Sequence, residues 1–340
     1  MTGAAGAAGA TGTAGAPRSP SLAGSRGWRR VVRDQPLIPL IVLLAALVVA
    51  LEVAKPGTVN GNWLGTTLRN AIPLAILGAC QTLAMLTGGI DLSVGAIASM
   101  AAYLVATLSF SQGPVVAIAV ALVACVIAGL VNGVGIGVFK VHPLIMTLGM
   151  SLVVLGLMSV YQLAMVQQGV HIPDVIRSVG SGISLGFIPN SIIVFVPLAA
   201  IIIVGLRRSG YGRLLFAVGD NPIAARLAGA RVWQVLVALY VLSGILAAIA
   251  GMLVSGLNNT ATVSLVEQSV LPSVAAAVIG GTSILGGRGG YAGTIVGALI
   301  LTVVTTLLTV LEMPEAVRQV LFGAIIVAVA AAYTRVSGDA

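Results

Sequence analysis

Ten apolar stretches run through this chain, and nearly all of its positive charge falls in every second interval between them. They lie near residues 37–54, 70–87, 92–109, 114–138, 143–166, 188–206, 232–256, 268–285, 291–311 and 316–334. A helix needs ~20 apolar residues to cross the hydrocarbon layer of a bilayer, and several of these stretches supply them. A water-soluble fold fails on surface: 58% of the 340 residues are hydrophobic and 8% charged, so polar groups are too few to cover a core. The expected fold class is an all-α polytopic membrane protein with about ten transmembrane helices.

Charge sets the expected orientation. With a cytoplasmic N-terminus and one crossing per stretch, 13 of the 17 Lys and Arg fall in cytoplasmic segments, leaving Lys55, Arg69, Arg177 and Arg318 outside. Cationic loops are hard to translocate, so this asymmetry is the positive-inside pattern and places both termini in the cytoplasm. The acids Glu52, Asp174, Glu267, Glu312 and Glu315 fall outside. The net charge of +8 is then topological, and no nucleic-acid partner is needed to explain it.

Residues 1–35 begin with Ala, Gly and Thr repeats and continue through Pro17 and Pro20 to a basic cluster ending at Arg33. That composition buries no core, so a disordered basic cytoplasmic tail is expected. The tail is long for a signal peptide and no cleavage site follows Leu51, so the first stretch is expected to stay as an anchor. The transmembrane domain covers 36–335, with a long cytoplasmic loop at 207–231, and residues 336–340 form a short cytoplasmic tail. Cys80 and Cys125 lie in apolar stretches and suggest neither a disulfide framework nor a metal site. His142 and His171 fall in loops, with no partners that suggest catalysis. No phosphate-binding GxxxxGK[ST] string occurs, so no enzyme activity and no bound cofactor or metal are expected.

Three motifs stand out. In Thr87-Gly88-Gly89-Ile90-Asp91-Leu92-Ser93-Val94-Gly95 a glycine pair breaks an apolar pattern and a carboxylate appears near membrane depth. Asp91 either caps the third helix or lines a solute path. In Gly280-Gly281-Thr282-Ser283-Ile284-Leu285-Gly286-Gly287-Arg288-Gly289-Gly290, a tight cytoplasmic turn explains the glycines better than a nucleotide loop. Gly293 and Gly297 follow at a spacing that lets helices approach closely. The two breaks share a GGxxxxxG spacing, a sign of internal repetition. In the loop 207–231, Asp220 or Asn221 can cap a short helix with Pro222 in its first turn and Gly229 at its end. So short a helix wants a protein partner, whereas a solvated basic loop would explain the arginines without the helix signals.

In order and spacing, these strings resemble those of permease subunits of bacterial sugar ABC importers, in the ribose, xylose and galactose branch. The resemblance covers about residues 60–335. It implies the larger-bundle importer architecture in the bacterial cytoplasmic (inner) membrane. The implied partners are two ATP-binding subunits that use ATP and Mg, an extracytoplasmic sugar-binding protein, and a second permease copy or close relative. The family's coupling helix matches the segment holding Asp220, Asn221, Pro222, Ala224, Ala225, Arg226, Gly229 and Arg231. Two departures are visible. Ser269-Val270-Leu271-Pro272-Ser273 stands where many relatives carry an acidic pair, and Ile223 stands where they often have Glu.

A path for an uncharged sugar needs amides and hydroxyls, because such a solute binds through neutral hydrogen bonds and must leave again. Asn70, Gln81, Thr82, Thr87, Asp91, Ser93 and Asn132 are the candidates, although such residues also join helices to one another. Arg69, Arg177 and Arg318 are the candidate anchors for the binding protein. The rival reading is a stand-alone secondary transporter or channel for a small polar solute, which would show gradient-driven flux in liposomes without an ATPase.

Overall fold

The computed structural model describes residues 37–165, 169–184, 186–314, 316–317, 319–321 and 323–324. The tails 1–35 and 336–340, Arg318 and most of the stretch 316–334 lie outside the described residues. In chain order the elements are α1 (Leu37–Ala54), α2 (Gly61–Leu86), α3 (Val94–Gln112), α4 (Pro114–Gly137), α5 (Pro143–Met165) and α6 (Asp174–Ser181). A two-stranded hairpin, β1 (Ile183–Ser184) and β2 (Ile188–Pro189), leads to α7 (Ile192–Arg208), α8 (Gly210–Asp220) and α9 (Pro222–Leu227). Then come α10 (Val232–Asn258), α11 (Val270–Ile279) and α12 (Tyr291–Val310).

Among the described residues, seven helices are long and apolar enough to cross a membrane: α1, α2, α3, α4, α5, α10 and α12. Counting the pair α7 and α8 as one bent span makes eight. The chain is a helical, multi-pass membrane protein.

Helix α10 is the hub, packed against α2, α3, α4 and α6. Lipid tails are as apolar as Leu, so helices in a bilayer associate through close packing of small residues. On α4, Gly129, Gly133 and Gly137 repeat every fourth residue and face the backbone of Tyr240, Val237 and Trp233 on the antiparallel α10. A Cβ at Gly129 would stand 2.3 Å from the Tyr240 carbonyl oxygen. The approach expected from Gly293 and Gly297 is present between α11 and α12. Gly293 faces Gly280 and Gly297 faces Ala276, where a Cβ would stand 1.9 and 2.2 Å from the facing carbonyl oxygens. Helix α1, apolar all round and mostly uncovered, packs along α12.

Three sequence expectations change. The stretch 268–285 holds the end of a 3₁₀ turn, Glu267–Ser269, that runs into the 10-residue α11, ~15 Å of α-helix, before the glycine turn begins, so it does not cross as one full-length helix. The stretch 188–206 extends as α7 to Arg208 and then bends by 66° into α8, an apolar helix where the first part of the cytoplasmic loop was expected. Ser209 makes that bend, its hydroxyl accepting from Gly212 N at 2.9 Å to cap α8. The interval before α7 is not bare loop either: α6 packs on α10 through Gly180 and Gly256, and the hairpin pairs Ile183 with Pro189. The all-α expectation omitted that hairpin, which is too short to give an alternating pattern.

If backbone proximity holds α4 to α10, Gly129→Ala should overpack that seam by about 1–3 kcal/mol. Gly149→Ala, on α5 with open space around its added methyl, should change nothing. Thermal unfolding of both variants in detergent checks this, with a lowered midpoint expected for Gly129→Ala alone.

Candidate functional site

The first glycine break ends α2 with a left-handed cap. Gly88 has φ +76°, and its N–H bonds Met85 O while that of Gly89 bonds Ala84 O. The second break repeats this geometry at the end of α11: Gly281 has φ +86°, Gly281 N bonds Val278 O and Thr282 N bonds Ala277 O. The shared spacing of the two motifs is thus a shared way of stopping a helix and satisfying its last carbonyls.

Beyond the first break the chain turns toward α3, and Asp91 is buried in that turn. Its Oδ1 accepts from Ser93 N at 3.0 Å and Ser93 Oγ at 2.6 Å, and its Oδ2 accepts from Ser243 Oγ on α10 at 2.7 Å. Asn132 Nδ2 on α4 donates to Ser93 Oγ at 2.8 Å. Gln81 on α2 clamps the Asp91 backbone, donating to its carbonyl at 2.8 Å and accepting from its N–H at 3.2 Å. A carboxylate at membrane depth costs ~2.5–3.5 kcal/mol on insertion scales, and these donors offset that cost. Asp91 therefore ties α2 to α10 and, through Ser93, to α4 at the start of α3; the amide it accepts from is that of Ser93, the residue before α3, so it joins helices more than it caps one. Asn132 Oδ1 and the Tyr240 hydroxyl are buried without a protein partner.

Four of the residues proposed for a solute path, Gln81, Asp91, Ser93 and Asn132, therefore meet one another in a closed network joined by Ser243. Nothing in the residue pattern marks Ser243, one serine among apolar residues of α10. The other three lie apart. Thr82 bonds Thr294 on α12 at 2.6 Å, Thr87 is half-buried at the end of α2, and Asn70 is exposed on α2 far along the helix.

The loop signals are realised. Asn221, not Asp220, caps α9, its side chain accepting from Ile223 N and Ala224 N at 3.0 Å each, with Pro222 in the first turn. Asp220 is the last residue of α8. Gly229, at φ +89°, ends the helix, and Ala230 N closes back on Ala225 O at 3.0 Å. Ala224, Arg226 and Arg231 are exposed, as are Ile223 (69%) and Leu227 (85%), while Ala225 is buried. The helix thus faces outward with two large apolar side chains one turn apart.

All three motifs meet at one point through their backbones. Gly287 N donates to Leu86 O at 3.0 Å, and a Cβ on Gly219 would stand 1.7 Å from that same oxygen. A Cβ on Gly286 would meet Gly219 O at 2.7 Å and Gly88 N at 3.1 Å. The amides of Ser283, Gly286, Gly287 and Arg288 all bond carbonyls within the protein, leaving none of these four to cradle a phosphate. At the opposite end of α2, Arg69 donates to Ser181 O at 2.8 Å, and Arg177 pairs with Asp174. Among the described residues there is no cluster of metal-ligating side chains.

The sequence profile of a family described as branched-chain amino acid transport system / permease component matches residues 63–330. The chain belongs to that family. This permease is 34% identical over 274 residues to the fructose import permease protein of Rhizobium meliloti, covering 78% of this chain and 76% of that one. It is 33% identical over 293 residues to the ribose import permease protein of Bacillus subtilis, 86% and 90% of the two chains. With the galactofuranose transporter permease protein of Escherichia coli the figures are 34% over 298 residues, 85% and 86%. No solved structure matches.

If Asp91 serves as a bridge, Asp91→Asn should keep both stability and uptake, since an amide can still accept from Ser93 and donate to Ser243. Asp91→Leu leaves those donors without an acceptor, at about 1–3 kcal/mol each, and should lower the thermal midpoint sharply. Loss of uptake in Asp91→Asn at unchanged stability would instead make the charge part of transport.

Proposed function

We propose that this permease is the membrane-spanning subunit of an ATP-driven importer and forms the path for a monosaccharide delivered by an extracytoplasmic binding protein. The observation that carries this reading is α9: capped, stopped and projecting Ile223 and Leu227 outward from a root packed on both glycine breaks. A helix of six residues is unstable alone, and its exposed apolar pair suits a protein groove. Two ATP-binding subunits, using ATP and Mg, are the proposed occupants, one beneath each of two permease copies or close relatives.

A neutral solute suits the chain better than an amino acid. An amino acid brings a carboxylate and an ammonium into the membrane, and among the described residues Asp91 is the only buried charged side chain, already held by Ser93 and Ser243. The relatives' names point the same way, to fructose, ribose and galactofuranose.

The proposed topology keeps ten passages, both termini cytoplasmic and the inner membrane as location. Helix α11 and its glycine turn make one passage together, because non-helical backbone at membrane depth is tolerated where protein surrounds it. Segments on the cytoplasmic side in this topology, namely 88–91 by crossing order and Lys140, 207–231 and Arg288 by charge, then share one end of the molecule. The end carrying α6 faces the binding protein. There Arg177 is exposed as an anchor and Arg69 holds α6 in place; Arg318 is the third proposed anchor.

Ala225→Pro removes the bond from Ala225 N to Asn221 O and strains α9 by ~3 kcal/mol. Expected in proteoliposomes is a permease that inserts normally but loses ATPase-dependent sugar uptake, while Ala225→Ser stays close to wild type. Normal uptake by the proline variant, or flux without any ATPase, would overturn the reading.

A further inference from the structure

A cleft of about 980 Å³ opens beside α9, near the top of the range of about 300–1,000 Å³ usual for small-molecule sites. Three cations line it from three separate segments: Lys140 from the turn between α4 and α5, Arg226 from α9, and Arg231 from the lead into α10. No carboxylate lines it, and none of the three forms an ion pair among the described residues. The rest of the lining is mainly apolar and includes Trp233, Leu236 and Leu285.

This combination specifies a ligand class. Three cations that line one cleft without a carboxylate partner repel one another, and a shared anion relieves that repulsion. A neutral sugar has no use for them. A small hydrated anion has no use for the apolar wall, whereas an amphiphile with an anionic head satisfies both. Trp side chains favour the membrane–water boundary, and basic pockets between membrane helices suit anionic headgroups.

We propose that this cleft binds an anionic phospholipid, its phosphodiester against Lys140 and Arg231 and the upper part of its acyl chains along Trp233 and Leu236. The site rests on the membrane-spanning reading alone. It needs neither the ATPase nor the sugar, so a failure of the importer reading leaves its test intact.

The test uses Trp233 as its own reporter in the full-length chain carrying Trp28→Phe and Trp63→Phe. The protein is reconstituted in phosphatidylcholine containing increasing fractions of dibrominated phosphatidylglycerol or dibrominated phosphatidylcholine, and quenching of Trp233 fluorescence is measured. The expected result is half-quenching at a several-fold lower fraction of the anionic lipid. Lys140→Gln should narrow that preference about fivefold, while Lys140→Arg, which keeps the charge, and Lys55→Gln, which lies outside the cleft, should preserve it. Equal quenching by the two lipids overturns the proposal. So does a preference that survives Lys140→Gln, or one that Lys55→Gln removes equally.

Discussion

Every backbone polar group inside a bilayer must find its partner within the protein, and this requirement shapes the permease wherever a helix stops at depth. The ends of α2 and α11 satisfy it with the same device, a left-handed glycine that folds the last amides back onto the preceding turn. One carbonyl left over at the end of α2, that of Leu86, is taken by Gly287 in the second break. A helix end in one part of the chain is therefore completed by a turn some two hundred residues later. The third participant, Gly219, lies so close to that bond that no side chain fits.

This junction gives the importer reading a physical route. The segment carrying α9 starts directly after Gly219 and Asp220, so a push on α9 reaches the Leu86 carbonyl without crossing any flexible side chain. Five residues beyond Leu86 stands Asp91, which bonds Ser93 at the start of α3 and Ser243 on α10, with Asn132 on α4 joined to it through Ser93. The hub helix α10 follows α9 after a turn, which gives the same segment a second connection to the core. The rigid-body movement of α9 that the importer reading proposes would act on the closed network from two sides.

Much of this was legible in the chain because glycine and proline act locally. The cap at Asn221, the stop at Gly229, and the approaches at Gly293 and Gly297 follow from residue type and spacing, and all are present. What escaped is what depends on distant neighbours. The stripe Gly129, Gly133 and Gly137 is visible as spacing, yet only the backbone of α10 shows what it serves. Ser243 carries no local signal, and four of the seven residues proposed for a solute path, Gln81, Asp91, Ser93 and Asn132, bond one another instead, because burial depends on packing. The helices α6 and α8 were missed for a different reason: both are short and lie where polar residues and charges suggested loops.

The most direct test of the junction is a crosslink. A Cβ on Gly287 would stand 3.4 Å from that of Asp220 and 3.1 Å from its Cα, so a disulfide, with Cβ atoms ~3.8 Å apart on average, needs the two segments to part by only a few tenths of an ångström. In a chain carrying Cys80→Ala and Cys125→Ala, the pair Asp220→Cys and Gly287→Cys should oxidise readily within one molecule. If α9 moves against the glycine breaks during transport, the oxidised permease assembled with its ATPase should stop taking up sugar, and reductant should restore it. A reduced pair that transports but never crosslinks would contradict the junction, and uninterrupted uptake with the disulfide in place would contradict its role in coupling.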